Sequence, residues 1–116
     1  ADCLRGQRLA TVECAIAHMT DVPARFFGLV ERGRLAEGWH ADLVVFDPET
    51  VGAGEFLLKH DLPGDSPRLY ADAFGIDRVF VNGTCTIVDG QPAGRLPGVV
   101  LRSGTDTETV GIPADR

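Results

Sequence analysis

No pair of residues limits the fold of this chain more than Asn82-Gly83. It stands between two alternating apolar runs, Arg78-Val79-Phe80-Val81 and Thr84-Cys85-Thr86-Ile87-Val88, and Asp89-Gly90 closes the second. The two-residue turn whose twist matches its flanking strands is type I′, which requires positive φ at both central positions, and Asn and Gly accept that most readily. The spacing therefore predicts a β-hairpin over 78–88. Val79 and Val81 should share one face with Ile87, with Cys85 a further candidate for it, while Phe80 points to the other.

The same reasoning finds strands on either side. Leu43-Val44-Val45-Phe46 is too short for a helix, and its β-branched and aromatic content predicts a strand covered on both faces. It should stop at Asp47-Pro48, since proline has no N–H for a ladder bond. After the turn-rich stretch Gln91–Gly98, a last strand is expected at Val99-Val100-Leu101-Arg102. The four strands form an antiparallel unit.

Upstream the period changes. Leu9, Val12, Ile16 and Met19 recur at helical spacing, which predicts an amphipathic helix over about 8–19. Asp21 as N-cap, with Pro23 in the first turn, starts a short second helix through Phe27, and Gly28 ends it as a C-cap glycine. Phe26 and Phe27 are more than a short helix can cover, so at least one should pack on the first helix or on the sheet. Gly33 and Gly38 punctuate the turns that lead to the first strand. Residues 49–75 have no period and are rich in Gly, Pro and Asp, so they read as a long loop with a helical turn at Glu55–Leu58. Three regions follow: helical, 1–30; β-rich, 31–102; and a polar tail or weak added strand, 103–116.

Composition narrows the partners. The 116 residues fit one modest domain. Seventeen acidic against eleven basic residues give a net charge of −6, which argues against nucleic acid and anionic membrane, both of which need a basic footprint. No run approaches the roughly 20 apolar residues of a membrane span. Cys3, Cys14 and Cys85 are an odd number without a C-x-x-C pair, and they read as reduced thiols of a cytoplasmic protein.

The order Gly28-Leu29, then Gly33-Arg34-Leu35-Ala36-Glu37-Gly38, then ADLVVFD over 41–47 resembles one segment of the amidohydrolase-superfamily metal-dependent hydrolases. There the chain leaves the catalytic barrel and re-enters a small β-sandwich. MTDVPARFFGL before it and DRVFVNGTCTIVDGQPAGRLPGVVLR after it are most similar to the N-acyl-D-amino-acid deacylase (D-aminoacylase) branch, so the likeness runs from about Ala10 to Arg102. The resemblance implies an α+β fragment: two helices ending the last βα unit of a TIM barrel, then the C-terminal half of an antiparallel sandwich. It also implies that segment 49–75 lies over the barrel, and that the partners are the barrel and the N-terminal sandwich strands of the same polypeptide. Exposed sheet edges or the helical face would then favour a homo-oligomer.

The implied chemistry is hydrolysis of the amide bond of N-acyl-D-amino acids by water activated on zinc or another divalent metal. Such a site takes paired imidazoles and a carboxylate base. His18, His40 and His60 lie about twenty residues apart and none pairs at i+2 or i+4, so no metal ligand and no catalytic residue is expected in this chain. The resemblance puts the catalytic aspartate upstream. His18 reads as a polar-face or capping residue, His40 as an exposed turn residue, and Cys85 as a buried, inert thiol. A substrate-facing role falls on the loop residues His60, Asp61 and Arg68, with Lys59 and Tyr70 nearby, because a guanidinium offers a carboxylate a two-pronged grip. Gly28, Gly38, Asn82 and Gly83 read as structural. So does Asp42: a carboxylate entering a buried strand must be satisfied, here by backbone N–H groups of the adjoining turn. The competing reading is a free-standing β-rich interaction module without catalysis.

Overall fold

In the computed structural model of the chain, residues 9–111 are described. Helix α1 (Val12–Met19) begins where Thr11 accepts a hydrogen bond from the Cys14 N–H at 3.3 Å. The start is thus later than residue 8, because Thr11 supplies the acceptor that a first helical turn lacks. The Glu13 carboxyl is held below its usual range by its own backbone N–H and then by Thr11. Helix α2 (Asp21–Phe26) takes Thr20 at its N-cap position, with no side-chain cap bond, and Asp21 is its first residue. Asp21 reaches Arg25 at 2.6 Å, and its charge also complements the helix N-terminus.

The exit of α2 is fixed by backbone bonds. The Gly28 N–H donates to Arg25 O at 3.2 Å and the Leu29 N–H to Ala24 O at 2.8 Å, the nested pair of a Schellman motif, with Gly28 at φ +64°. Phe26 and Phe27 stack edge to face at 5.1 Å but stay 73% and 66% exposed, so neither finds the expected cover on α1 or the sheet.

Among the described residues eight strands follow: β1 (Leu43–Phe46), β2 (Gly52–Ala53), β3 (Leu57–Leu62), β4 (Ser66–Tyr70), β5 (Ala73–Phe74), β6 (Ile76–Val81), β7 (Thr84–Val88) and β8 (Gln91–Pro92). The main sheet is antiparallel in the order β1-β6-β7-β8. Its β6–β7 hairpin closes with Val81 opposite Thr84 and with Asn82 and Gly83 at φ +48° and +75°, as the dipeptide predicts. A bulge after Val79 pairs Ile87 with Val79 and Cys85 with Phe80, so Cys85 does not join the Val79 pair.

Three expectations about the strands fail. The fourth strand is Gln91–Pro92, not Val99–Arg102, because Asp89 and Gly90 both take positive φ and turn the chain back at once. Segment 49–75 is not a loop with a helical turn: β3 and β4 pair as a hairpin around a 3₁₀ turn at Pro63–Asp65, and the two-residue ladder β2–β5 brackets them. Strand β1 is the sheet's edge and is not covered on both faces, since Val44 and Val45 are 53% and 45% exposed.

The polar C-terminal segment is fastened rather than trailing where it is described. Thr107 bridges to Leu29, and the Glu108 N–H donates to Gly28 O at 2.8 Å.

The described residues enclose little. Ala24 is their only buried hydrophobic side chain, and Gly33 is what lets the chain cross it, since a Cβ there would sit 2.5 Å from the Ala24 methyl. The radius of gyration is 17.2 Å, against about 13 Å for a compact chain of this length. Accessible surface is 9313 Å², where a compact protein of this mass shows about 6,100 Å². Among the described residues no helix is long and apolar enough to cross a membrane.

Candidate functional site

Two clusters gather the residues singled out from sequence. The first lies on the β3–β4 hairpin, where Lys59 and Arg68 are directly opposed. Arg68 closes its fork on Asp61, Nε to Oδ1 and Nη2 to Oδ2, both at 2.6 Å. That fork holds the Asp61 carboxyl below its usual range, and the carboxylate in turn raises the Arg68 guanidinium. The Lys59 ammonium stands 3.3 Å from the centroid of the Tyr70 ring, whose hydroxyl donates to Asp72 at 3.1 Å. His60 faces away from Asp61, its Nδ1 being 3.1 Å from Asp65 O. The structure therefore brings His60, Asp61 and Arg68 onto one hairpin, but the grip of Arg68 is taken by Asp61.

The second cluster ties the sheet to its approach. Because β1 runs antiparallel to β6, Asp42 just before β1 lies beside the turn that ends β6. Its Oδ1 accepts the Asn82 N–H at 2.9 Å, and its Oδ2 pairs with Arg32 Nη1. The acceptor role is met from a turn forty residues on, rather than from the adjoining one as expected. The Arg32 side chain is only 12% exposed and also reaches Asn82 Oδ1 at 3.4 Å, while Asn82 Nδ2 donates to Pro97 O at 2.8 Å. Gly83 N–H donates to Ala41 O at 2.9 Å and completes the tie. Gly38 serves by conformation alone, at φ +82° with open space around a built Cβ. Sequence reasoning missed Arg32, since its partners lie ten and fifty residues away and no local pattern announces them.

Two open hollows flank this corner. One, of about 300 Å³, is lined by Val30, Arg32, His40, Val99 and Leu101; the other, of about 390 Å³, by Leu35, Trp39, His40 and Leu43. Over the second, the Arg34 guanidinium sits 5.2 Å from the Trp39 ring. Neither hollow sets a nucleophile beside a base.

Zinc does not fit the described residues: no group of three or more His, Cys, Asp or Glu side chains converges among them. Cys14 is exposed, and Cys85 is half-buried rather than buried, its thiol donating to Ile87 O at 3.2 Å. Cys3 lies outside the described residues.

Comparison with known proteins bears on the same segment. The profile of the amidohydrolase family (Amidohydro_3) matches residues 1–93. An N-acyl-D-glutamate deacylase of Alcaligenes xylosoxydans xylosoxydans is 44% identical over 110 residues, which are 95% of this chain and 20% of the relative. The N-acyl-D-aspartate deacylase of that organism is 41% identical over 102 residues, 87% of this chain and 18% of the relative. Among solved structures, a D-aminoacylase that defines a novel subset of amidohydrolases superposes with a TM-score of 0.60 at 35% identity, over 79% of this chain and 18% of that one. An N-acyl-D-glutamate deacylase from Bordetella bronchiseptica, complexed with zinc and a phosphonate mimic of the tetrahedral intermediate, gives 0.58 at 41% identity over the same shares. The chain spans about a fifth of the length of these relatives.

Proposed function

The chain belongs to the amidohydrolase family, and on that premise we propose that it is the scaffold segment of a metal-dependent enzyme that deacylates N-acyl-D-amino acids. Its helices α1 and α2 close the last unit of the catalytic barrel, and the β1-β6-β7-β8 sheet is one half of a small sandwich beside it. Zinc and the groups that activate water belong to the remainder of the polypeptide. The observation that carries this reading is the 44% identity that runs over 95% of the chain yet fills one fifth of an N-acyl-D-glutamate deacylase.

The exposed surfaces support it. Phe26, Phe27, Val44 and Val45 offer apolar area that nothing among the described residues covers, as expected where a barrel and further strands belong. A free-standing interaction module fits less well, because a self-sufficient domain of this length buries more than one small side chain.

The test uses two proteins: the full-length polypeptide that carries this segment, and the 116-residue chain. Purified with zinc, the full-length protein should release the amino acid from N-acetyl-D-glutamate or N-acetyl-D-aspartate, and a chelator should stop it. The 116-residue chain should show background only. Metal-dependent turnover by the short chain would move the catalytic groups back into it, and an inactive, zinc-free full-length protein would defeat the reading.

A further inference from the structure

Asn82 is the only asparagine of the chain, and a glycine follows it. Glycine has no side chain to screen its main-chain nitrogen. In an unfolded chain the Gly83 nitrogen can therefore attack the Asn82 side-chain carbonyl carbon. A bond from that nitrogen to Cγ forms, the bond from Cγ to Nδ2 breaks, and ammonia leaves with the Gly83 proton. Water then opens the cyclic imide at either carbonyl, giving aspartate or isoaspartate.

In the fold every group that must move is held. The Gly83 N–H donates to Ala41 O at 2.9 Å, and the leaving group Nδ2 donates to Pro97 O at 2.8 Å. Asn82 Oδ1 faces Arg32 Nη2 at 3.4 Å, and the Asn82 N–H donates to Asp42 Oδ1 at 2.9 Å. Ring closure also turns the Asn82 Cα–C bond out of the left-handed setting that φ +48° and a type I′ turn require.

We propose that Asn82 is a site of spontaneous deamidation that the Arg32–Asp42 corner keeps dormant, so that conversion proceeds only in molecules whose corner has opened. Either product stops the corner from closing again. Aspartate loses the donor to Pro97 O, and isoaspartate lengthens the main chain by a methylene that a two-residue turn has no room for.

The chain holds its own comparison. Asp89-Gly90 turns β7 into β8 at φ +48° and +73°, almost the angles of Asn82-Gly83, and a valine precedes each pair. Asp89 is exposed, its side chain takes no hydrogen bond among the described residues, and a Cβ built on Gly90 meets open space. Asp89→Asn therefore sets a second Asn-Gly pair in the same kind of turn without the ties.

The full-length polypeptide carrying Asp89→Asn is incubated in mildly alkaline buffer, digested, and followed by mass spectrometry at both positions. Folded, position 82 should convert at least about tenfold more slowly than position 89, since bonds to charged partners hold one site and not the other; in urea the two should convert alike. Asp42→Ala removes the charged acceptor of the Asn82 N–H and should speed conversion at 82 by about tenfold while leaving 89 unchanged. Equal rates at the two positions in the folded protein overturn the inference. So does an unchanged rate at 82 in folded Asp42→Ala. Should that variant not fold, the rate at Asn82 in the unaltered protein is compared between buffer and urea, where a ratio near one overturns it and slow conversion in buffer alone supports it.

Discussion

Replacing Gly28 by alanine tests how α2 is held to the C-terminal segment. Two separate costs arise at this position. The first is conformational: φ is +64°, where a Cβ crowds the following carbonyl at about 1–2 kcal/mol. The second is contact: an added Cβ would lie 1.9 Å from the Glu108 carbonyl oxygen, far inside the 3.0 Å that real Cβ contacts respect. Glu108 must therefore retreat by at least about 1 Å, which strains its 2.8 Å bond to Gly28 O and the Leu29–Thr107 bridge. Losing that backbone bond adds about 0.5–1.5 kcal/mol, for a total of about 1.5–3.5 kcal/mol.

Gly38→Ala isolates the first cost, because Gly38 has φ +82° and nothing within 4 Å of a built Cβ. Hydrogen exchange read peptide by peptide suits the comparison, since it reports local opening without requiring one cooperative melt. Gly28→Ala should raise exchange in 102–111 and around Leu29 together, whereas Gly38→Ala should disturb only its own turn. Equal effects from the two variants, with 102–111 unchanged in both, would show that the Gly28–Glu108 approach contributes nothing.

The remaining expectations are simpler. In a double-mutant cycle, Asp42→Ala and Arg32→Ala should couple by about 1–2 kcal/mol, because each alone leaves the other's charge half-enclosed; strict additivity in denaturant melts would refute the tie. Asn82→Gly keeps the two-residue turn but removes the side-chain bond to Pro97 O, so 97–102 should loosen while 78–88 stays protected in exchange. The Asp61 carboxyl is depressed in the fold, so the stability it adds is present above its unfolded pKa and fades as pH falls through the lower folded value. Arg68→Gln should return Asp61 toward the ordinary range in an NMR titration, and an unchanged midpoint would deny the fork.

What could be read from sequence was local. Asn82-Gly83, the α2 exit at Gly28 and the stop at Pro48 each depend on φ preferences or a missing donor within a few residues, and all three appear where the residues place them. The β3–β4 hairpin escaped because Lys59-His60-Asp61 breaks the apolar alternation, and its strongest cue, Pro63-Gly64, was one turn signal among many in a Gly- and Pro-rich stretch. His60, Asp61 and Arg68 do share one hairpin, but Arg68 grips Asp61 and is not free. His60 and Asp61 are neighbours along the chain, and strand alternation sends adjacent side chains to opposite faces, so Asp61 meets Arg68 while His60 meets Asp65. Burial was the least legible. A hydrophobic content of 44% is ordinary for a globular domain, yet only Ala24 is enclosed among the described residues. Composition counts apolar side chains without saying which surface covers them, and here they are spread over a helix face, a sheet edge and a hairpin that do not face one another. Among the described residues ordinary apolar content therefore coexists with almost no interior, and the open apolar faces are what the proposed role would account for.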